Sequence, residues 1–168
     1  SDADSFYYNT DTMSSIYSAR TYAGLSYTET GIIPRMPTDK EIAKAATSPI
    51  SQPKAEDVPD SVDKLANATA GGQASGGEAA QSIAKQLKES GWFSHGLDGD
   101  YPSSAGHGNY RIDQLLSGSA MVGDSEQYAS AMALMARNLG MPSRIVLGFL
   151  PKNDEGDISE NRTEKHGS

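Results

Sequence analysis

The chain has no cysteine among its 168 residues. That absence excludes disulfides, thiolate metal ligands and a cysteine nucleophile. It leaves the redox compartment open, because a cysteine-free domain survives in either setting. Positive charge is also scarce: 14 Lys and Arg stand against 22 Asp and Glu, a net −8 at pH 7 with the histidines neutral. Phosphate backbones are bound by clustered Lys and Arg, and no such cluster occurs, so nucleic acid is not expected as a partner. Apolar residues make up 36% of the chain, and no apolar run approaches the ~18 residues that a membrane span needs. The chain itself is therefore expected to make no membrane contact, and no signal-peptide pattern opens it. Its start, "SDADSFYY", fits a piece of a longer protein. The length suggests one domain, or one domain with an appendage, without internal repeats.

What is present is unevenly spread. Residues 1–56 read as a polar N-terminal extension. Tyr17, Tyr22 and Tyr27 among Thr and Ser predict one or two strands within residues 15–30. "MPTDKEIAKAA" predicts a short helix opened by a capping box of Thr38 and Glu41. "TSPISQPKAEDVP" reads as a loop.

Residues 57–150 hold most of the apolar periodicity and hence the expected core. "PDSVDKLANATAGG" predicts a helix capped by Asp60 or Ser61, with Val62, Leu65 and Ala66 on one face and Gly71-Gly72 as its stop. "GGQASGG" reads as flexible. "EAAQSIAKQLKESGW" predicts a second helix, with Ala80, Ile83, Ala84 and Leu87 inward and Gly91 as its stop. The long Gly-rich loop "WFSHGLDGDYPSSAGHGNY" follows, with Trp92 and Phe93 expected to anchor it to the core. "YRIDQLLSG" is a short helix or turn. Residues 151–168 are charged and read as a mobile polar tail.

The most informative stretch is "MVGDSEQYASAMALMARNLGMPSRIVLGFL", residues 121–150. Asp124 is a strong N-cap, and Gln127 three residues later completes a capping-box pattern. Ser125 then takes the first helical position. Tyr128, Ala131, Met132, Met135 and Leu139 form an apolar stripe. Gly140 ends the helix, Pro142 prevents its resumption, and "RIVLGFL" suits a central strand. The first turn of a helix carries about half a positive charge on its free N–H groups. A cysteine there becomes a thiolate near neutrality. A serine gains little, because its hydroxyl needs an adjacent general base. Two readings of Ser125 stay open: an ordinary first-turn residue, or a nucleophile position occupied by the wrong atom.

These residues resemble the transglutaminase-like superfamily. Its bacterial members carry G-x-C-x-x-[FY]-A, an apolar helix, and then R-x-x-G-[IM]-P-[AS]-R-[VI]-V-x-G-[FY]. The chain has Gly123, Ser125, Tyr128 and Ala129, then Arg137, Gly140, Met141, Pro142, Ser143, Arg144, Ile145, Val146, Gly148 and Phe149, without a gap. "VPDSVDKLANATAGG" and "AAQSIAKQLKESGWFS" look like the two helices before the family's nucleophile helix, so the likeness covers residues 57–150.

The resemblance implies an α+β fold with the papain-like cysteine protease core. In it the helix over 125–139 packs on a small antiparallel sheet that includes residues 144–150. The sheet is expected to be truncated at the C-terminus. The family's active site is a Cys-His-Asp triad, and the position of its Cys is held here by Ser125. The triad His and Asp follow the "RIVLGF" strand in the family, and no counterpart is recognisable here; His166 stands in the polar tail. His95 and His107 precede the nucleophile helix, the wrong order for the family. They are expected to shape the Gly-rich loop, with His107 able to approach Ser125 in space.

A closer likeness, carried by "SGWFSHGLDGDYPSSAGHGNYRIDQLL" and the stretch after it, is to the extracytoplasmic domain of actinobacterial multi-pass membrane proteins. It implies a non-catalytic module on the outer side of a bacterial cell membrane, acting in binding or assembly. Peptide or a cell-wall component is the partner it suggests, and Trp92, His107 and Gln127 are the candidate binding residues beside Ser125. The alternative is an amide-bond enzyme, protease or transamidase, carrying an engineered Cys-to-Ser exchange, with its His and Asp elsewhere in the parent. A serine hydrolase would need a base that the sequence does not reveal. No cofactor is implied, and no metal: the acidic stretches "DGDY" and "NDEGD" lack the ligand alternation of an EF-hand.

Overall fold

The computed structural model describes residues 2–10, 14–20, 22–24 and 35–147. The chain divides into two compact units, Ser1–Met36 and Pro37–Ser168.

In the first unit a 3-10 turn, Asp2–Ser5, leads into β1 (Phe6–Asn9), which pairs antiparallel with β2 (Ser14–Tyr17). Phe6 lies opposite Tyr17, with ring centroids 4.9 Å apart. The expected strand is thus present at Tyr17, and its partner precedes it. Residues 25–30 of that expectation lie outside the described residues.

The second unit is helical at its centre. Its elements are α1 (Asp39–Ala43), α2 (Asp60–Ala70), α3 (Gly76–Ser90), α4 (Asn109–Ser117) and α5 (Ser125–Asn138). The capping box of α1 forms as read: the Glu41 N–H donates to Thr38 Oγ1 at 3.3 Å, and the Thr38 N–H donates to Glu41 Oε2 at 2.7 Å. Two expectations about these helices need correction. The N-cap of α2 is Pro59, not Asp60 or Ser61, and it makes no side-chain cap bond. Along α3 the buried line is Ala79, Ile83 and Leu87, spaced by four, so Ala84 is rotated outward and exposed.

The stretch read as flexible is instead tied down. Ser75 caps α3 by accepting from the Glu78 N–H at 3.1 Å, and its hydroxyl donates to the Ala43 carbonyl. Gly77 lets α3 meet the end of α1: a Cβ there would stand 1.7 Å from the Ile42 carbonyl oxygen. The glycine serves close approach, not looseness.

Helix α2 packs on α3, α4 and α5, and α3 and α4 each pack on α5. Val62, Ile83, Ile112 and Met135 are fully enclosed where these helices meet. Each such side chain contributes roughly 1.5–3 kcal/mol of burial.

The sheet differs from expectation. Its two strands in this unit, β3 (Gly91–Phe93) and β4 (Met121–Gly123), run parallel, with the Gly-rich loop and α4 as the crossover between them. Residues 141–147 form no strand, and Ile145, Val146 and Leu147 are exposed. An apolar run becomes a strand only where a partner accepts its ladder bonds, and no described residue pairs with it. Residues 148–150, the polar tail and His166 lie outside the described residues. The protein is thus a mixed α+β domain of helices and small sheets.

Candidate functional site

The N-terminus of α5 is built by local bonds that the sequence announced. The Asp124 carboxylate accepts from the Glu126 N–H at 2.8 Å, and the Gln127 amide oxygen accepts from the Asp124 N–H at 2.8 Å. Ser125 follows the cap, exposed at the first helical position. Among the described residues its hydroxyl makes no side-chain hydrogen bond.

Two histidines from the crossover loop are brought to this helix end, where they meet the two residues that flank Ser125. His107 Nδ1 lies 2.5 Å from Glu126 Oε1, and His95 Nδ1 lies 3.7 Å from Asp124 Oδ2. Each is positioned by the residue before it. Gln127 is completely buried, and its amide nitrogen donates to the Gly106 carbonyl at 2.9 Å, which fixes the chain just ahead of His107. Gly106 turns with φ +90°, a conformation open to glycine. Ser94 is buried, and its N–H donates to the Gly123 carbonyl at 2.9 Å, extending the β3–β4 pairing to the residue ahead of His95. The Ser94 hydroxyl closes the loop by donating to the Tyr101 carbonyl and accepting from the Gly96 N–H.

Of the four sequence candidates, Ser125 and His107 stand at the same helix end, where His107 meets the neighbour of Ser125 and not its hydroxyl. Gln127 is internal, with both ends of its amide used by the protein, so it reaches a ligand only through the loop it holds. Trp92 is 57% exposed and Phe93 62% exposed, which overturns their role as core anchors. The three-residue strand β3 has no second layer over these side chains. Trp92 instead meets Tyr101 edge-on at 5.5 Å, and Phe93 meets His95 edge-on at 4.9 Å, two separate exposed ring pairs on the opposite faces of β3.

Sequence reading did not assign partners to the histidines, and Asp124 and Glu126 now have that place. The available signal was that both histidines, in "SHG" and "GHG", sit beside glycines in the loop leading to α5.

Tyr128 ties the site to the sheet. Its hydroxyl faces the Met121 carbonyl at 2.7 Å and the Trp92 carbonyl at 3.1 Å, sharing one proton between the two strands. Burial pushes this phenol above its ordinary value, against the opposing pull of the Arg111 charge. Gly91 is required beside it, since a Cβ there would come within 2.6 Å of the Tyr128 hydroxyl.

Chemically, the helix end offers a hydroxyl and two imidazole–carboxylate pairs, since the Asp124–Gln127 capping box already uses the N–H groups of Asp124, Glu126 and Gln127. A nucleophilic serine needs its base in hydrogen-bond reach, and no described imidazole bonds to Ser125. No group of three or more His, Asp or Glu gathers among the described residues in a form that would hold a metal ion.

Comparison with known proteins adds one finding. Residues 63–166, well over half of the chain, match the family model of the transglutaminase-like superfamily. No curated protein and no solved structure matches the chain.

Proposed function

The chain belongs to the transglutaminase-like superfamily, and from that premise we propose that it is a non-catalytic member acting in binding or assembly. Ser125 then occupies the position of the family's nucleophilic cysteine without its activity. The observation that carries this reading is the uncoupled hydroxyl: Ser125 is exposed and unbonded, while His107 engages Glu126. The helix dipole that would ionise a thiol does little for an alcohol of far higher pKa.

What the site offers instead is a surface. Phe93, stacked edge-on against His95 at the helix end, and the pair of Trp92 with Tyr101 on the other face of β3 are exposed, and aromatic faces of this kind stack on peptide side chains or sugar rings. The partner in this reading is a peptide or a cell-wall strand. The likeness of the crossover loop to actinobacterial membrane proteins supports placing the module on the extracytoplasmic side of a bacterial membrane protein. The described residues contain no helix long and apolar enough to cross a membrane, so spans would belong to other parts of the parent. The papain-like core that the family pattern implies is part of this reading.

A second reading is favoured by one observation. An imidazole–carboxylate pair adjacent to a nucleophile position, as His107 and Glu126 are, is also what an amide-bond enzyme uses. That reading makes Ser125 a replacement for a native cysteine.

The Ser125→Cys protein separates the two. Binding function predicts a thiol of ordinary reactivity toward iodoacetamide at neutral pH and no turnover of peptide amides. A thiol alkylated at least tenfold faster than a free cysteine, with amide hydrolysis or transamidation, would establish the enzyme and end the non-catalytic proposal.

A further inference from the structure

The chain has a surplus of acidic residues, yet the one charged side chain buried among the described residues is a cation. Arg111, on the first turn of α4, is 6% exposed. Its guanidinium bonds only neutral acceptors. Nε donates to the Ser104 carbonyl at 2.7 Å, and Nη2 donates to Ser103 Oγ at 3.0 Å and to the Val122 carbonyl at 2.7 Å. No carboxylate of the described residues pairs with it. Of five N–H donors, the two on Nη1 make no bond to the described protein. Among those residues Ser61 Oγ is the one side-chain polar atom sealed from solvent without a partner, so Nη1 keeps access to solvent.

Arg111 also lines a cavity of about 460 Å³, together with Ser103, Ser104, Gln114 and Ser119. We propose that this cavity is a binding site for a carboxylate, with Nη1 of Arg111 as its charged anchor and the hydroxyls and amide around it as secondary donors. A buried guanidinium without a counter-ion is costly, and an incoming carboxylate supplies both the missing charge and the missing acceptors. The lining holds a single cation and no lysine, which fits a monoanion and not a phosphate dianion. The volume exceeds that of a bare ion, so the carboxylate belongs to a larger molecule, either the C-terminus of a peptide or a free organic acid. The three bonds that Arg111 already makes hold its planar fork in place before the ligand arrives. The site involves neither Ser125 nor its histidines, so it stands whichever reading of Ser125 holds.

The test uses four probes, with the Arg111 side-chain resonance and titration calorimetry as readouts: acetyl-dialanine as its free acid, the same dipeptide as its C-terminal amide, acetate, and inorganic phosphate. The free acid is expected to shift the Arg111 Nε signal and to bind at least tenfold more tightly than the amide. Acid tighter than acetate identifies a peptide end as the source, and acetate equal to it identifies small organic acids. Gln114→Glu, an exposed change on the cavity wall, is expected to keep the helical circular dichroism and weaken the acid at least tenfold. Equal binding of acid and amide, binding of neither, or phosphate tighter than the acid would each overturn the proposal.

Discussion

The two ends of α5 come from one continuous motif and are finished in opposite ways. At the N-terminal end the first turn is left open, with Ser125 and Glu126 exposed and two loop histidines reaching in from outside. At the C-terminal end the last turn is closed by backbone bonds. Gly140 turns with φ +77°, its N–H donates to the Arg137 carbonyl at 2.9 Å, and the Met141 N–H donates to the Ala136 carbonyl at 2.9 Å. That is a Schellman ending, with Met141 and Ala136 buried beside each other.

The segment after it is clamped as well. Gln52 bonds the Ser143 N–H and carbonyl at 2.8 and 3.1 Å, and Arg137 reaches the Pro53 carbonyl at 3.1 Å. A helix end that is capped and then covered serves packing. One that is capped and left uncovered presents its side chains to solvent. The family pattern thus joins a locked end and an open end on one helix.

The contrast can be broken most strongly at Gln127, a fully buried group that holds the open end together. Gln127→Ala removes the partners of the Asp124 N–H and the Gly106 carbonyl. A loss of about 2–3 kcal/mol is expected in urea unfolding. The amides near His107 should lose hydrogen-exchange protection, while those near Ser143 keep theirs. Equal loss at both ends would mean that they are not separable.

Gly140→Ala attacks the closed end. No atom crowds the new methyl, so the cost is the left-handed backbone alone, roughly 1–2 kcal/mol. The thermal midpoint should fall, with His107 chemical shifts unchanged.

Tyr128→Phe sharpens the comparison by cutting the link from α5 to both strands, at a cost of about 1 kcal/mol. Its pH signature has a definite sign. A phenol whose folded pKa is raised favours the neutral form, so its stabilisation is full below the unfolded value of about 10 and is lost as pH rises through the folded value. Stability of the parent protein should therefore decline more steeply than that of the Phe variant in alkaline titration above about pH 10.

Ser125→Ala is the smallest change. An exposed, unbonded hydroxyl contributes within about 0.5 kcal/mol, and a larger loss would reveal a bond that the structure does not contain.

The legible part of the molecule was the local part. Thr38 with Glu41, Asp124 with Gln127, and Gly140 with Pro142 act across at most four residues, where backbone geometry leaves little choice. The helices over Val62 and Ile83 were legible for the same reason, through apolar spacing. The corrections fall where a distant element decides. Ser75, Gly76 and Gly77 look like linker until the end of α1 is set against them. Trp92 and Phe93 look like core until β3 proves to be a short strand without a covering layer.

By itself, the sequence determined the capped helix with Ser125 at its head, the stop at Gly140, and membership in a superfamily whose pattern those residues carry. Only the tertiary structure decided that His95 and His107 meet Asp124 and Glu126, that Gln127 is internal, and that Arg111 is buried without a carboxylate. The reason is physical. Capping and periodicity are set by bonds between near neighbours. The course of a Gly-rich loop is set by long-range bonds, such as Gln127 to Gly106 and Ser94 to Gly123, that exist only after the helices have packed.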